Sequence, residues 1–221
     1  IENFIAQVDG NSSHFLGVAP QSIHLHLVQK LQDKGIKTGA QNIGAWKTGA
    51  YTGEISALHL KELGHHFCIV GHSERRQYFN ESLIHIKQKV ELALEQNLMC
   101  VLCIGESKEE KENNQTFAVL EKQILSALEG IPDLKNIIIA YEPVWAIGTG
   151  LTAKPSDITA NHGFIVNLCK EKLGFTPPIL YGGSVNDSNA FELSKLSHVA
   201  GFLVGGASLS PVRFNAMASQ I

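Results

Sequence analysis

The sequence predicts an α/β protein, a parallel (β/α)8 barrel whose first strand is absent from the 221 residues. Three observations lead there. Seven short apolar segments alternate with helical patterns, which demands a parallel sheet covered on both faces by right-handed crossovers. Polar or glycine clusters follow strand after strand, as they would around one rim, which favours a closed barrel over an open doubly wound sheet. An eight-unit barrel runs to about 250 residues, and the count here falls one strand short at the start.

Ile1, Phe4, Ile5 and Val8 recur at helical spacing, so the chain opens inside a helix, and it does not begin with methionine. A strand and its preceding segment are therefore expected ahead of residue 1. Phe15 to Ala19 reads as a strand, Pro20-Gln21-Ser22 as the opening of a helix to about Lys34, and Gly35 as its stop. A strand near 36–41 leads into QNIGAWKTGAYTGE, a long, poorly charged loop that a partner is expected to cover. Ser56 to Leu63 reads as a helix stopped by Gly64, and His66 to Val70 as a strand that runs into GHSERR. A helix from about Ser82 to Asn97 precedes the strand Met99 to Ile104. SKEEKEN is a solvated helical face, and Thr116 to Leu128 an amphipathic helix. Then come the strand at Ile137, a helix from Pro155 to about Leu173 with Gly174 at its end, and a strand at 179–181. A helix near 189–193, a last strand at 201–204 and a short terminal helix complete the pattern. No linker divides the chain, so 1–221 reads as one domain.

Charged residues make up 18% of the chain against 44% hydrophobic, low enough to expect part of the surface to be buried in an oligomer. A net charge of −3 without a basic cluster argues against nucleic acid. No apolar run approaches the roughly 18 residues of a membrane span, so a soluble, cytoplasmic protein is expected. Cys100 and Cys103 have C-x-x-C spacing, but three residues apart in a strand they face opposite ways, and reduced thiols are the simpler reading. No histidine spacing suggests a metal, and no cofactor is expected.

The chemistry centres on AYEPVWAIGTG at 140–150. Pro143 cannot continue a ladder, so Glu142 stands at a strand's C-terminal end, where barrel carboxylates tend to be catalytic. The apolar, glycine-rich residues after it suit a loop that closes and excludes water. His72 precedes a helix start, where the dipole should lower its pKa and favour a neutral imidazole able to donate to a carbonyl oxygen. Gly182-Gly183-Ser184 and Gly205-Gly206 follow the last two strands, the usual phosphate site of a barrel, with Ser184 and the loop's Gly148 as added donors. A carboxylate and a neutral donor beside a phosphate site suit proton transfer alpha to a carbonyl.

AYEPVWAIGTG, VGHSERR, YGGSV, LVGGASL, AQN and GAYTGE, over nearly the whole chain, resemble the triosephosphate isomerase family, itself the reference example of the TIM barrel and of a Glu base beside a neutral His. The resemblance implies that Glu142 moves the proton between the carbons of dihydroxyacetone phosphate and glyceraldehyde 3-phosphate and that His72 is the electrophile. It implies that Gly148 belongs to the lid, that Ser184, Gly205 and Gly206 hold the phosphate, and that Glu74 and Cys103 support the site. It further implies a homodimer in which the GAYTGE loop delivers Thr52 to the partner subunit. The family's Asn-x-Lys motif at its first strand has no counterpart here, and an N-terminal truncation is expected to explain that gap together with the missing strand. The alternative is a non-catalytic phosphate-binding homologue that kept the barrel but lacks the lysine. An aldolase would need a Schiff-base lysine at a strand end, and none is found.

Overall fold

Short continuous apolar runs, covered on both faces, decide where the strands run, and glycines in left-handed conformation decide where several helices stop. The computed structural model of the protein describes residues 1–147 and 153–221. In chain order come α1 (Glu2–Gln7), β1 (Gly17–Val18), a broken 3-10 and α segment over 22–34 that contains α2 (Leu25–Val28), and β2 (Lys37–Ala40). Next are α3 (Ala57–Glu62), β3 (Phe67–Val70), α4 (Ser73–Tyr78), α5 (Leu83–Glu95) and β4 (Met99–Ile104). Then follow α6 (Lys108–Glu112), α7 (Thr116–Leu128), β5 (Ile137–Tyr141), a 3-10 turn at Val144–Ala146 and α8 (Pro155–Leu173). The last elements are β6 (Ile179–Tyr181), α9 (Ala190–Ser194), β7 (Gly201–Phe202), a 3-10 turn at Gly206–Leu209 and α10 (Pro211–Ala218).

The seven strands pair in sequence order, each parallel to the next, as the barrel expectation requires. Alternation then sorts the side chains. Phe67, Ile69, Val101, Cys103 and Ala140 gather on the inner face, while Cys68, Val70, Cys100, Leu102, Ile139 and Tyr141 join the larger core under the helices. Cys100 and Cys103 thus face opposite sides, and all four cysteines are unpaired and buried. A third cluster, Val8, Leu16, Val28, Leu31 and Ile36 with Phe4 and Phe214, binds the two ends of the chain together. Phe4 meets Phe214 edge-to-face at 5.6 Å, and the Asn215 side chain accepts from the Asp9 amide and donates to the Gln7 carbonyl. The sheet therefore curls, its edge strands drawn toward one another.

Three elements depart from the sequence reading. The segment expected as one helix to Lys34 is a 3-10 turn, the short α2, and a second 3-10 stretch ending at Gly35 with φ +79°. Its polar side chains are spent outside it: Gln32 donates to Thr38 Oγ1 and the Gly64 carbonyl, and Lys34 to the carbonyls of Ile5, Ala6 and Val8. The first and last strands are shorter than expected because, among the described residues, each has a ladder neighbour on one side only. Their flanks still pair singly, Lys37 N–H to the Leu16 carbonyl and Leu203 N–H to that of Tyr181.

Candidate active site

The C-terminal ends of β3, β4, β5 and β6 meet at one point, and β5 delivers its carboxylate there. Glu142 follows Tyr141 directly, and its amide donates to the Ile104 carbonyl at 2.7 Å, which holds it against the end of β4. Two glycines make room. A Cβ on Gly105 would lie 1.7 Å from the Glu142 carbonyl oxygen, and one on Gly182 would lie 2.9 Å from Glu142 Cγ. Only glycine lets the backbone and this side chain come so close.

Glu142 is 2% exposed, and a buried carboxylate without partners would cost several kcal/mol. It has them. Oε1 lies 2.9 Å from His72 Nε2, and Oε2 accepts from the Ser73 amide at 3.2 Å, at the first turn of α4. Cys103, fully buried on the inner face, also touches the carboxylate, and burial followed by the Glu142 charge holds its thiol well above the ordinary range.

His72 caps α4, its Nδ1 accepting the Glu74 amide proton at 3.3 Å. A ring nitrogen that accepts carries no proton, so Nε2 bears the hydrogen and donates to Glu142. The Nδ1 bond favours the neutral ring expected from the helix start. The expected lowering of its pKa is overturned: burial lowers it, but the hydrogen bond to Glu142, the Glu142 charge and the Glu74 charge together raise it above the ordinary value. The Glu74 carboxylate is solvent-facing, 3.8 Å from His72 Nδ1.

Ser184 lies on the rim after β6, where its hydroxyl donates to the Ala146 carbonyl at 2.8 Å. Gly205 and Gly206 are exposed, and a Cβ on either would meet nothing within 4 Å. Gly148 lies outside the described residues. Thr52 is exposed in the loop from Gln41 to Glu54, remote in sequence from both strand ends, and beside it Tyr51 stacks on Trp46 with ring centroids 4.2 Å apart. Among the described residues no cluster of His, Cys, Asp and Glu could hold a metal ion, and no helix is long and apolar enough to cross a membrane.

Sequence reasoning passed over Glu106. It is 1% exposed, accepts from Trp145 Nε1 at 2.9 Å and from the Tyr141 hydroxyl, and its carbonyl receives the Val144 amide. Burial raises its pKa, against the opposing effect of those donors and of Lys111. Glu106 thus pins the start of the loop that follows Glu142. The signal was available, since Gly105-Glu106 ends a strand as Glu142 does.

The family model for triosephosphate isomerase matches residues 1–221. The triosephosphate isomerase of Alkaliphilus oremlandii (strain OhILAs) is 49% identical over 197 residues, 86% of this chain and 79% of that protein. That of Aquifex aeolicus (strain VF5) is 46% identical over 219 residues, 97% and 89% of the two. That of Alkaliphilus metalliredigens (strain QYMF) is 52% identical over 187 residues, 81% and 75%. A match that runs from the first residue to the last, on a parallel barrel whose rim joins a buried Glu to a His, has one reading: the chain belongs to the triosephosphate isomerase family.

Proposed function

We propose that this rim interconverts dihydroxyacetone phosphate and glyceraldehyde 3-phosphate, with Glu142 as the base and His72 as the electrophile. The observation that carries the assignment is the 2.9 Å contact between Glu142 Oε1 and His72 Nε2. That carboxylate oxygen occupies the place where a donor on Nε2 would hold the oxygen of an enediolate. When substrate enters, its carbonyl oxygen takes over the Nε2 hydrogen bond. Glu142 then turns to the adjacent carbon and removes a proton, the electron pair moves into a carbon–carbon double bond, and the carbonyl oxygen gains negative charge beside His72. The proton of the adjacent hydroxyl passes to that charged oxygen, and Glu142 returns a proton to the former carbonyl carbon as the new carbonyl forms, which completes the isomerisation.

Open space at Gly205 and Gly206 supports a phosphate-binding role for those backbone amides. Ser184 joins them once its hydroxyl leaves the Ala146 carbonyl, and Gly148 contributes from the loop. Glu74 and Cys103 support the pair, the first beside the His72 ring and the second beneath Glu142. The reaction needs no cofactor, since acid, base and anion site are all protein groups. A non-catalytic homologue gains no support from the comparisons, whose relatives are named for the isomerase.

On this reading the protein is a single domain over 1–221 and a homodimer that offers Thr52 across its interface. Four unpaired, buried thiols favour a reducing compartment, the cytoplasm. The deciding experiment replaces Glu142 by Gln and follows exchange of the substrate's carbon-bound hydrogen with solvent. Exchange should collapse while a phosphate-bearing analogue still binds, and near-normal exchange would remove Glu142 from the role of base.

A further inference from the structure

Arg76 sits in the first turn and a half of α4, and its side chain folds back under the site instead of reaching solvent. Nε donates to the Gly71 carbonyl at 2.7 Å and Nη2 to the Cys103 carbonyl at 2.8 Å. Gly71 directly precedes His72, and Cys103 lies in β4 with its thiol against Glu142. One planar fork therefore spans the two strand ends that hold the acid and base in register. The fit is tight: Gly71 has φ +73°, and a Cβ there would lie 2.9 Å from Nη2. The groups facing this guanidinium are Glu142, Glu81 and Cys103, while those facing Glu142 are His72, Cys103 and Arg76.

We propose that Arg76 is a positioning residue for the isomerisation, fixing the Gly71–His72 corner against the end of β4. The proposal rests on Glu142 being the base. A fork with two bonds sets a distance that a single ammonium cannot, and misplacement of a reacting group by about 1 Å can cost on the order of a hundredfold in rate.

The test compares Arg76→Met and Arg76→Lys with the unaltered chain by thermal melting and by kcat and KM. Arg76→Met should lower kcat by about tenfold or more with little change in KM. Arg76→Lys keeps the charge and loses the fork, so kcat should fall by an intermediate factor. A Met variant with lowered melting temperature but unchanged kcat would mean that Arg76 only satisfies two carbonyls. If the Met variant does not fold, wild-type kcat in the Lys variant overturns the positioning role. Failure of the underlying reading is recognised separately, by wild-type turnover in Glu142→Gln.

Discussion

His72 Nε2 lies 2.9 Å from Glu142 Oε1, while Nδ1 on the other side of the ring accepts the Glu74 amide. The ring is therefore held between a carboxylate that favours its protonation and an amide that favours its neutral form. Burial lowers the His72 pKa, and the pairing with Glu142 reverses that. Removing the Glu142 charge should let burial win. In Glu142→Gln, His72 is expected to titrate lower than in the unaltered chain, measured by NMR of the ring nitrogens. A rise, or no change, would show that Glu142 does not control the ring.

Gly182 tests how closely the Glu142 side chain is fitted. A methyl group there would stand 2.9 Å from Glu142 Cγ, inside any normal contact. Gly182 lies outside the positive-φ region, so alanine brings crowding without backbone strain. Gly182→Ala should lower kcat by roughly ten- to a hundredfold, as expected for a displaced base. KM should change far less. Wild-type kcat in this variant would show that Glu142 is not held by that contact.

The positions of Glu142 and His72 were legible because each ends an apolar run, and the residue type at a strand's end carries the signal. Met99–Ile104 and Thr116–Leu128 have the bounds that periodicity assigned them, being flanked on both sides by packed neighbours. What sequence did not carry is non-local. Nothing in the residues near His72 says that a carboxylate 70 positions later raises its pKa, and nothing in Arg76 says that its fork reaches back to Cys103. The broken helix before Gly35 has the same origin, since Gln32 and Lys34 bond to carbonyls that only the fold brings near.

His162 should make stability fall in mild acid. It is fully buried in α8, its Nδ1 bonded to the His198 carbonyl, with Tyr141 edge-on and Tyr181 tilted against the ring. Burial lowers its pKa to about 4, below the ordinary value near 6.5. Between those values the unfolded chain binds a proton that the folded chain refuses, so stability is full above pH 6.5 and is lost as pH falls toward 4. The loss from this group is on the order of 3 kcal/mol. Urea unfolding across that window should show a shallower pH dependence in His162→Phe. An unchanged slope would assign the acid sensitivity to other groups.

The last prediction concerns assembly. Trp46 and Tyr51 stack with their planes 11° apart, yet they are 37% and 41% exposed, and Thr52 beside them is also exposed. Trp46 also leans on His85 at the start of α5, so the loop rests beside the segment in which Tyr78 and Phe79 are 69% and 67% exposed. Aromatic side chains so exposed are favoured anchors of an interface. An arginine at position 52 would bring a long cation into that surface, where an unpaired charge is expelled with water or costs several kcal/mol. Thr52→Arg should therefore weaken self-association by at least about tenfold, or roughly 1.4 kcal/mol, in sedimentation at micromolar concentration. The unaltered chain should sediment as a dimer under the same conditions. If the unaltered chain is a fully active monomer, the exposed aromatic loop needs another partner and Thr52 has no part in the site.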